Sequence, residues 1–198
     1  MPQIQILSKT VGRRALLADG GTLLAAWLGC NSILAPPARA EEPVAVDLPT
    51  HRTAAPRALP DLSFLDEAGA TRHLADWHGR IVVLNLWATW CQPCVAEMPA
   101  LAALARQVAP GGDIAVLPVS IDHGGAELVR RFYLTHSIAD LPVLSDPHMQ
   151  IPTALREEGV PVTLVIDRAG REVLRIVGPV RWDPASAPER LRGLAAGG

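Results

Sequence analysis

Two cysteines separated by two residues, Cys91 and Cys94 within Trp90-Cys91-Gln92-Pro93-Cys94, are the side chains of this sequence best placed to do chemistry. Such a pair can serve as half of a zinc site, as a structural disulfide or as a redox couple. For zinc the ligand set is incomplete: the third cysteine is the distant Cys30, and no HxxxH pair stands ready to complete four ligands. A disulfide closing so short a loop staples little of a chain this long. The redox reading requires a strand, then the CxxC, then a helix, and the text supplies them in that order.

That order has a physical consequence. A thiol at a helix N-terminus meets unpaired backbone N–H groups and the positive end of the helix dipole, which favours its thiolate; in CxxC motifs the pKa falls to about 3.5–7.5. Cys91 is therefore the expected nucleophile. Cys94 lies one turn deeper, within reach as the resolving thiol. Pro93 falls in the first turn, where its missing N–H costs nothing.

The elements that must hold these residues follow from hydrophobic pattern. Residues 81–88, IVVLNLWA, are apolar on both faces, as in a central strand of a covered parallel sheet. After them Cys94, Met98, Leu101, Ala105 and Val108 recur at helical steps, predicting a helix over 92–108 with Pro99 kinking it. Residues 114–121 supply a second strand and complete a β-α-β crossover. A hairpin is expected from 62–66 and 70–74 around Glu67-Ala68-Gly69, helices over 127–136, 149–158 and 185–195, and strands over 160–167 and 172–177.

The first forty residues read differently. Lys9, Arg13 and Arg14 precede a run of small apolar residues and then Ala38-Arg39-Ala40, the three parts of an export signal, so 1–40 is expected to be a leader. The adjacent Arg13-Arg14 suits the twin-arginine route, with Sec export as the competitor. Cys30 reads as a residue discarded with the signal, lipidation being the alternative. Residues 41–59, rich in Pro, Ala and Thr without apolar period, are expected to be a flexible linker, leaving 60–198 as the folded domain. A periplasmic location follows, with the leader cleaved or retained as a membrane anchor.

Composition narrows the rest. The chain has 198 residues, 49% apolar and 19% charged, enough for one ordinary domain. Its formal charge of -2 offers no basic surface for nucleic acid.

Three separated blocks, residues 84–94 (LNLWATWCQPC), Glu97-Met98-Pro99, and Gly159-Val160-Pro161-Val162-Thr163 running into Ile166-Asp167, resemble the thioredoxin fold, in particular its exported TlpA/ResA type of thiol-disulfide oxidoreductase. The resemblance implies an α/β three-layer sandwich with a mixed central sheet, an N-terminal hairpin and an inserted helical segment between Asp122 and Gly159. It further implies that Pro161 is a cis-proline whose loop, with Val160, faces the CxxC and receives an incoming peptide, alongside Trp90, Gln92 and Pro93. Glu97 is then the acidic residue that adjusts both thiols and relays a proton, in place of the buried Asp that ordinary thioredoxin has at Asn85.

By the same resemblance the chain is expected to reduce disulfides of envelope proteins, such as apocytochrome c haem-site or copper-chaperone cysteines. It would draw electrons from a membrane thiol reductase, as a monomer and without cofactor or resident metal. An oxidase or isomerase of folding exported proteins is the alternative, and a redox-dependent copper carrier is another. Trp87 is expected to pack near the site, Trp77 and Trp182 to be anchors, and His123 and His148-Met149 to be loop residues rather than copper ligands.

Overall fold

The computed structural model describes residues 46–49, 55–183 and 185–196. The expected leader and Cys30 lie outside the described residues.

In chain order the elements are β1 (Val46–Asp47), β2 (Arg57–Ala58), β3 (Ser63–Leu65), β4 (Thr71–His73), a 3-10 turn (Leu74–Trp77), β5 (Ile81–Trp87), α1 (Gln92–Val108), β6 (Ile114–Ser120), α2 (Gly125–Thr135), β7 (Leu144–Ser145), α3 (Gln150–Leu155), β8 (Val162–Ile166), β9 (Arg171–Val177), β10 (Val180–Arg181) and α4 (Ala187–Ala196). Eight strands form one mixed sheet in the order β2-β9-β8-β5-β6-β7-β3-β4. β5 runs parallel to β6 and antiparallel to β8, from Ile81 opposite Ile114 to Trp87 opposite Ser120, and from Val82 opposite Ile166 to Leu86 opposite Val162. Every residue of β5 and β6 is buried, which explains why their sequences lack the polar alternation of a half-exposed strand.

The pleat of β5 divides the core. Ile81, Val83 and Trp87 pack with Met98, Leu101 and Leu104 of α1, and with residues of α2 and α4. Val82, Leu84 and Leu86 face the opposite side, with Phe64, Ile151 and Leu155. Helices therefore cover both faces, the three-layer arrangement expected from the sequence, and α2, β7 and α3 are the inserted segment. Asn85 shares the parity of Val83 and Trp87, so a polar side chain is delivered to the α1 layer of an otherwise apolar strand.

Several expected elements change at their ends. The helix over 149–158 shortens to Gln150–Leu155 because Arg156 turns left-handed at φ 59° and ends it. α1 runs from Gln92 to Val108 without interruption through Pro99, which leaves the Val95 carbonyl without its helical donor. The linker expected over 41–59 is corrected at its described residues. β1 pairs in parallel with β10, β2 pairs with β9, and Leu48 is buried among the α1-side core. These strands are two residues long, too short for a periodic pattern to show them.

Candidate active site

β5 ends at Trp87, and four residues later the chain enters α1. The turn between them is pinned by a carboxylate: Asp122, buried just beyond β6, accepts hydrogen bonds from Thr89 N at 2.9 Å, Thr89 Oγ1 at 3.0 Å and Ser120 Oγ at 2.8 Å. Cys91 follows as the N-cap of α1, in extended conformation, with its sulfur accepting from the Cys94 N–H at 3.3 Å. Sulfur thus takes the place of the usual hydroxyl or carboxylate cap at the positive end of the helix. Cys91 and Cys94 are joined by a disulfide, their Cα atoms 5.2 Å apart.

Cys94 is fully buried, whereas Cys91 retains a small exposure at the surface. The sulfur of Cys91 lies 3.6 Å from the Val160 carbonyl oxygen. In the dithiol state this carbonyl is an acceptor for the Cys91 S–H; in the disulfide state it receives nothing from the sulfur. The Val160–Pro161 peptide bond is cis, as the resemblance implied. Pro161 is buried, and its own carbonyl accepts from Gly178 N at 2.8 Å, which ties the loop to the end of β9.

Around this disulfide the surface is mostly apolar, with the Gln92 amide among it. Trp90 is 65% exposed beside Cys91, Gln92 is exposed, and Pro93 and Val160 are half-buried. Val177 is 69% exposed and stands opposite Val162, one residue beyond Pro161. The structure therefore brings together Trp90, Cys91, Gln92, Pro93, Cys94, Val160 and Pro161 around the disulfide.

Glu97 sits behind them. It is 6% exposed, on the core side of α1 one turn beyond Cys94, and its carboxylate turns toward the sheet. Oε1 accepts from Asn85 Nδ2 at 3.2 Å, and Oε2 accepts from Val180 N at 2.9 Å. The same Asn85 Nδ2 donates to Thr163 Oγ1 at 3.0 Å, across the β5–β8 register. Burial pushes the carboxyl pKa up, while the Val180 N–H, Asn85 and the Trp182 indole favour the anion and limit the rise. Asn85 Oδ1 is buried without a hydrogen-bond partner, and the buried Trp182 Nε1–H acts on Glu97 without completing a hydrogen bond.

Some of these residues escaped the sequence reading. Asp122 had a signal, an acidic residue directly after an all-apolar strand, where it can cap or pin a turn. Thr163 had none, since its place opposite Asn85 depends on how β5 and β8 pair. Val180 and Trp182 had none, since a backbone N–H is the same in every non-proline residue and the pairing spans most of the domain. Trp87 packs against Phe132 and Tyr133, with centroids 5.0 and 6.0 Å away, and Trp77 lies tilted against Phe64 under the Arg72 guanidinium. His123 Nδ1 is hydrogen-bonded to Pro147 O at 2.9 Å. Among the described residues no group of three or more His, Cys, Asp and Glu side chains is placed to hold a metal ion.

In chemical terms the site offers a sulfur at a helix N-terminus, a second sulfur already bonded to it, a carbonyl-lined loop alongside, and a buried carboxyl with a raised pKa one turn away. Comparison with known proteins agrees. The family model described as AhpC/TSA matches residues 56–173. A thiol-disulfide oxidoreductase ResA of Geobacillus kaustophilus is 32% identical over 121 residues, 60% of this chain and 66% of that protein. The match thus spans slightly less than two thirds of that relative's length. Among solved structures, a thiol:disulfide interchange protein of the thioredoxin family from Chlorobium tepidum superposes with a TM-score of 0.56 at 25% identity, over 73% of this chain and 99% of that one. The pneumococcal exposed lipoprotein thioredoxin of Streptococcus pneumoniae does so with a TM-score of 0.55 at 27% identity, over 67% and 98%.

Proposed function

The chain belongs to the AhpC/TSA family, and from that premise we propose that it is a thiol-disulfide oxidoreductase whose dithiol form reduces disulfides in other proteins. The observation that carries the reading is the Cys91–Cys94 disulfide at the N-terminus of α1, with the Val160 carbonyl beside the outer sulfur.

The reaction runs in two exchanges. The Cys91 thiolate attacks one sulfur of the substrate disulfide; the substrate bond breaks, a Cys91–substrate bond forms, and the other substrate sulfur leaves as a thiolate that takes up a proton. Cys94 then loses its proton and attacks the Cys91 sulfur, which releases the second substrate thiol and closes the Cys91–Cys94 disulfide. Two electrons pass to the substrate. Glu97, anionic once its raised pKa is exceeded, is the acceptor for the Cys94 proton within the buried side of the site. The Val160-Pro161 loop and the surface of Trp90, Gln92 and Pro93 receive the polypeptide that flanks the substrate cysteine.

Residues 1–40 serve as an export leader, cleaved or kept as an anchor, and the domain works outside the cytoplasm. An exposed location is stated in the name of the pneumococcal neighbour, and among the described residues no helix is long and apolar enough to cross a membrane. Apocytochrome c or copper-chaperone cysteines are the proposed substrates and a membrane thiol reductase the proposed electron donor.

Trapping tests the reading. Reduced Cys94→Ser mixed with an oxidised protein substrate is expected to accumulate a mixed disulfide through Cys91, and Cys91→Ser to accumulate none. Equal trapping by both variants, or by neither, would contradict the assignment of attacking and resolving thiols.

A further inference from the structure

Glu97 reaches from α1 to a strand that a distant part of the chain holds in place. Val180, the donor to Glu97 Oε2, lies in β10, whose strand partner is β1. The two run parallel with Val46 opposite Val180 and Asp47 opposite Arg181. Three further contacts fasten β1. The Val46 N–H donates to Pro179 O at 2.9 Å, Arg181 donates to Asp47 Oδ1 at 3.0 Å, and the Arg190 guanidinium donates to the Leu48 carbonyl. The Leu48 side chain is 3% exposed and belongs to the same apolar cluster as Val180, Trp182 and Leu191.

We propose that residues 46–48 are a strap that seats β10 against Glu97, so that Val46 and Leu48 act as positioning residues for the carboxyl group behind the disulfide. The inference rests on the reading of Cys91, Cys94 and Glu97 as one redox centre and adds a control point to it.

The physical argument concerns what keeps Glu97 dry. A two-residue ladder is weak by itself, so the apolar burial of Leu48 is the main attachment of the strap. With Leu48 seated, the groups that meet the carboxylate are Asn85 from β5, the Val180 N–H from β10 and the Trp182 indole just after β10, all uncharged. Thr163 of β8, beyond Asn85, is neutral too, and Cys91 and Cys94, joined as a disulfide, carry no titrating proton. Asp47 and Arg181 pair with each other on the exposed side of β10. Removing the Leu48 side chain loosens β10 and admits water to Glu97. Burial is the largest cause of the raised carboxyl pKa, so hydration lowers it.

The test is a carbon-13 titration of the Glu97 carboxyl in the full chain, its signal identified by loss in Glu97→Gln. In Leu48→Ala the midpoint is expected to fall by about one pH unit, and in Leu48→Met, which refills the space, to return. Val46→Pro deletes one strap hydrogen bond and keeps the apolar plug; it is expected to show a smaller fall and serves if Leu48→Ala does not fold. A Glu97 midpoint that stays at the wild-type value, or rises, in the folded variants would overturn the strap. Disulfide exchange measured on the same samples separates the two readings. A midpoint that follows the strap in a chain without exchange activity sinks the oxidoreductase reading and leaves the strap standing, whereas active protein with an unmoved midpoint does the reverse.

Discussion

Glu97 is surrounded by donors rather than cations, and this sets its pH behaviour. The folded protein holds its carboxyl above the ordinary range because burial outweighs the Val180, Asn85 and Trp182 contributions. Folding therefore favours the protonated form. The stability this gives is fully present below the unfolded carboxyl pKa, at about 4.3, and is lost as pH rises through the folded value. Glu97→Gln copies the protonated state. Its amide nitrogen needs an acceptor, which Asn85 Oδ1, buried and unpaired, supplies if the Asn85 amide rotates. The variant is expected to match wild type in urea denaturation near pH 4 and to exceed it at pH 8, while the pH profile of Cys94 resolution loses its carboxyl limb. A variant less stable than wild type at pH 8 would show that the anion is better accommodated than this account allows. Of this residue-scale chemistry the sequence announced Cys91, Cys94 and, through the family blocks, Glu97 and Pro161. It concealed the partners, because hydrogen bonding by Asn85 and Val180 depends on which strands lie side by side.

At the scale of elements the junction of β5 and α1 carries the site. β5 and α1 were legible because each has a long, strong pattern: seven buried residues without a break, then apolar residues at steps of three and four. β7 and β10 are two residues each and left no such trace. The turn between β5 and α1 depends on Asp122. Asp122→Ala leaves the Thr89 N–H, the Thr89 hydroxyl and the Ser120 hydroxyl without their acceptor, with an expected loss of about 1–3 kcal/mol in chemical denaturation. The same variant is expected to alkylate more slowly at Cys91, since the cap that holds the sulfur at the helix end loses its support. Leu101→Ala, fully buried in the middle of α1, is expected to cost about 2–5 kcal/mol while leaving the rate of Cys91 alkylation unchanged. If Leu101→Ala slowed Cys91 as much as Asp122→Ala, general loosening of α1 would explain both.

Across the whole molecule the N-terminal strands join what the linear pattern separates. β1 and β10 lie more than a hundred residues apart in sequence, as do β2 and β9, and pairings of that separation follow from the finished sheet rather than from any local signal. This is why a segment that reads as a tether becomes part of the domain. The central β-α-β unit and the hairpin of β3 and β4 are local and were readable. The same global view bears on the direction of electron flow. A dithiol that donates electrons must leave its disulfide well stabilised in the folded protein. The equilibrium reduction potential of Cys91 and Cys94, titrated in the full chain against glutathione or dithiothreitol buffers, measures this most directly. The account predicts a value below about -230 mV, among the reductants. A value above about -150 mV would contradict it and identify an oxidant of newly exported proteins instead.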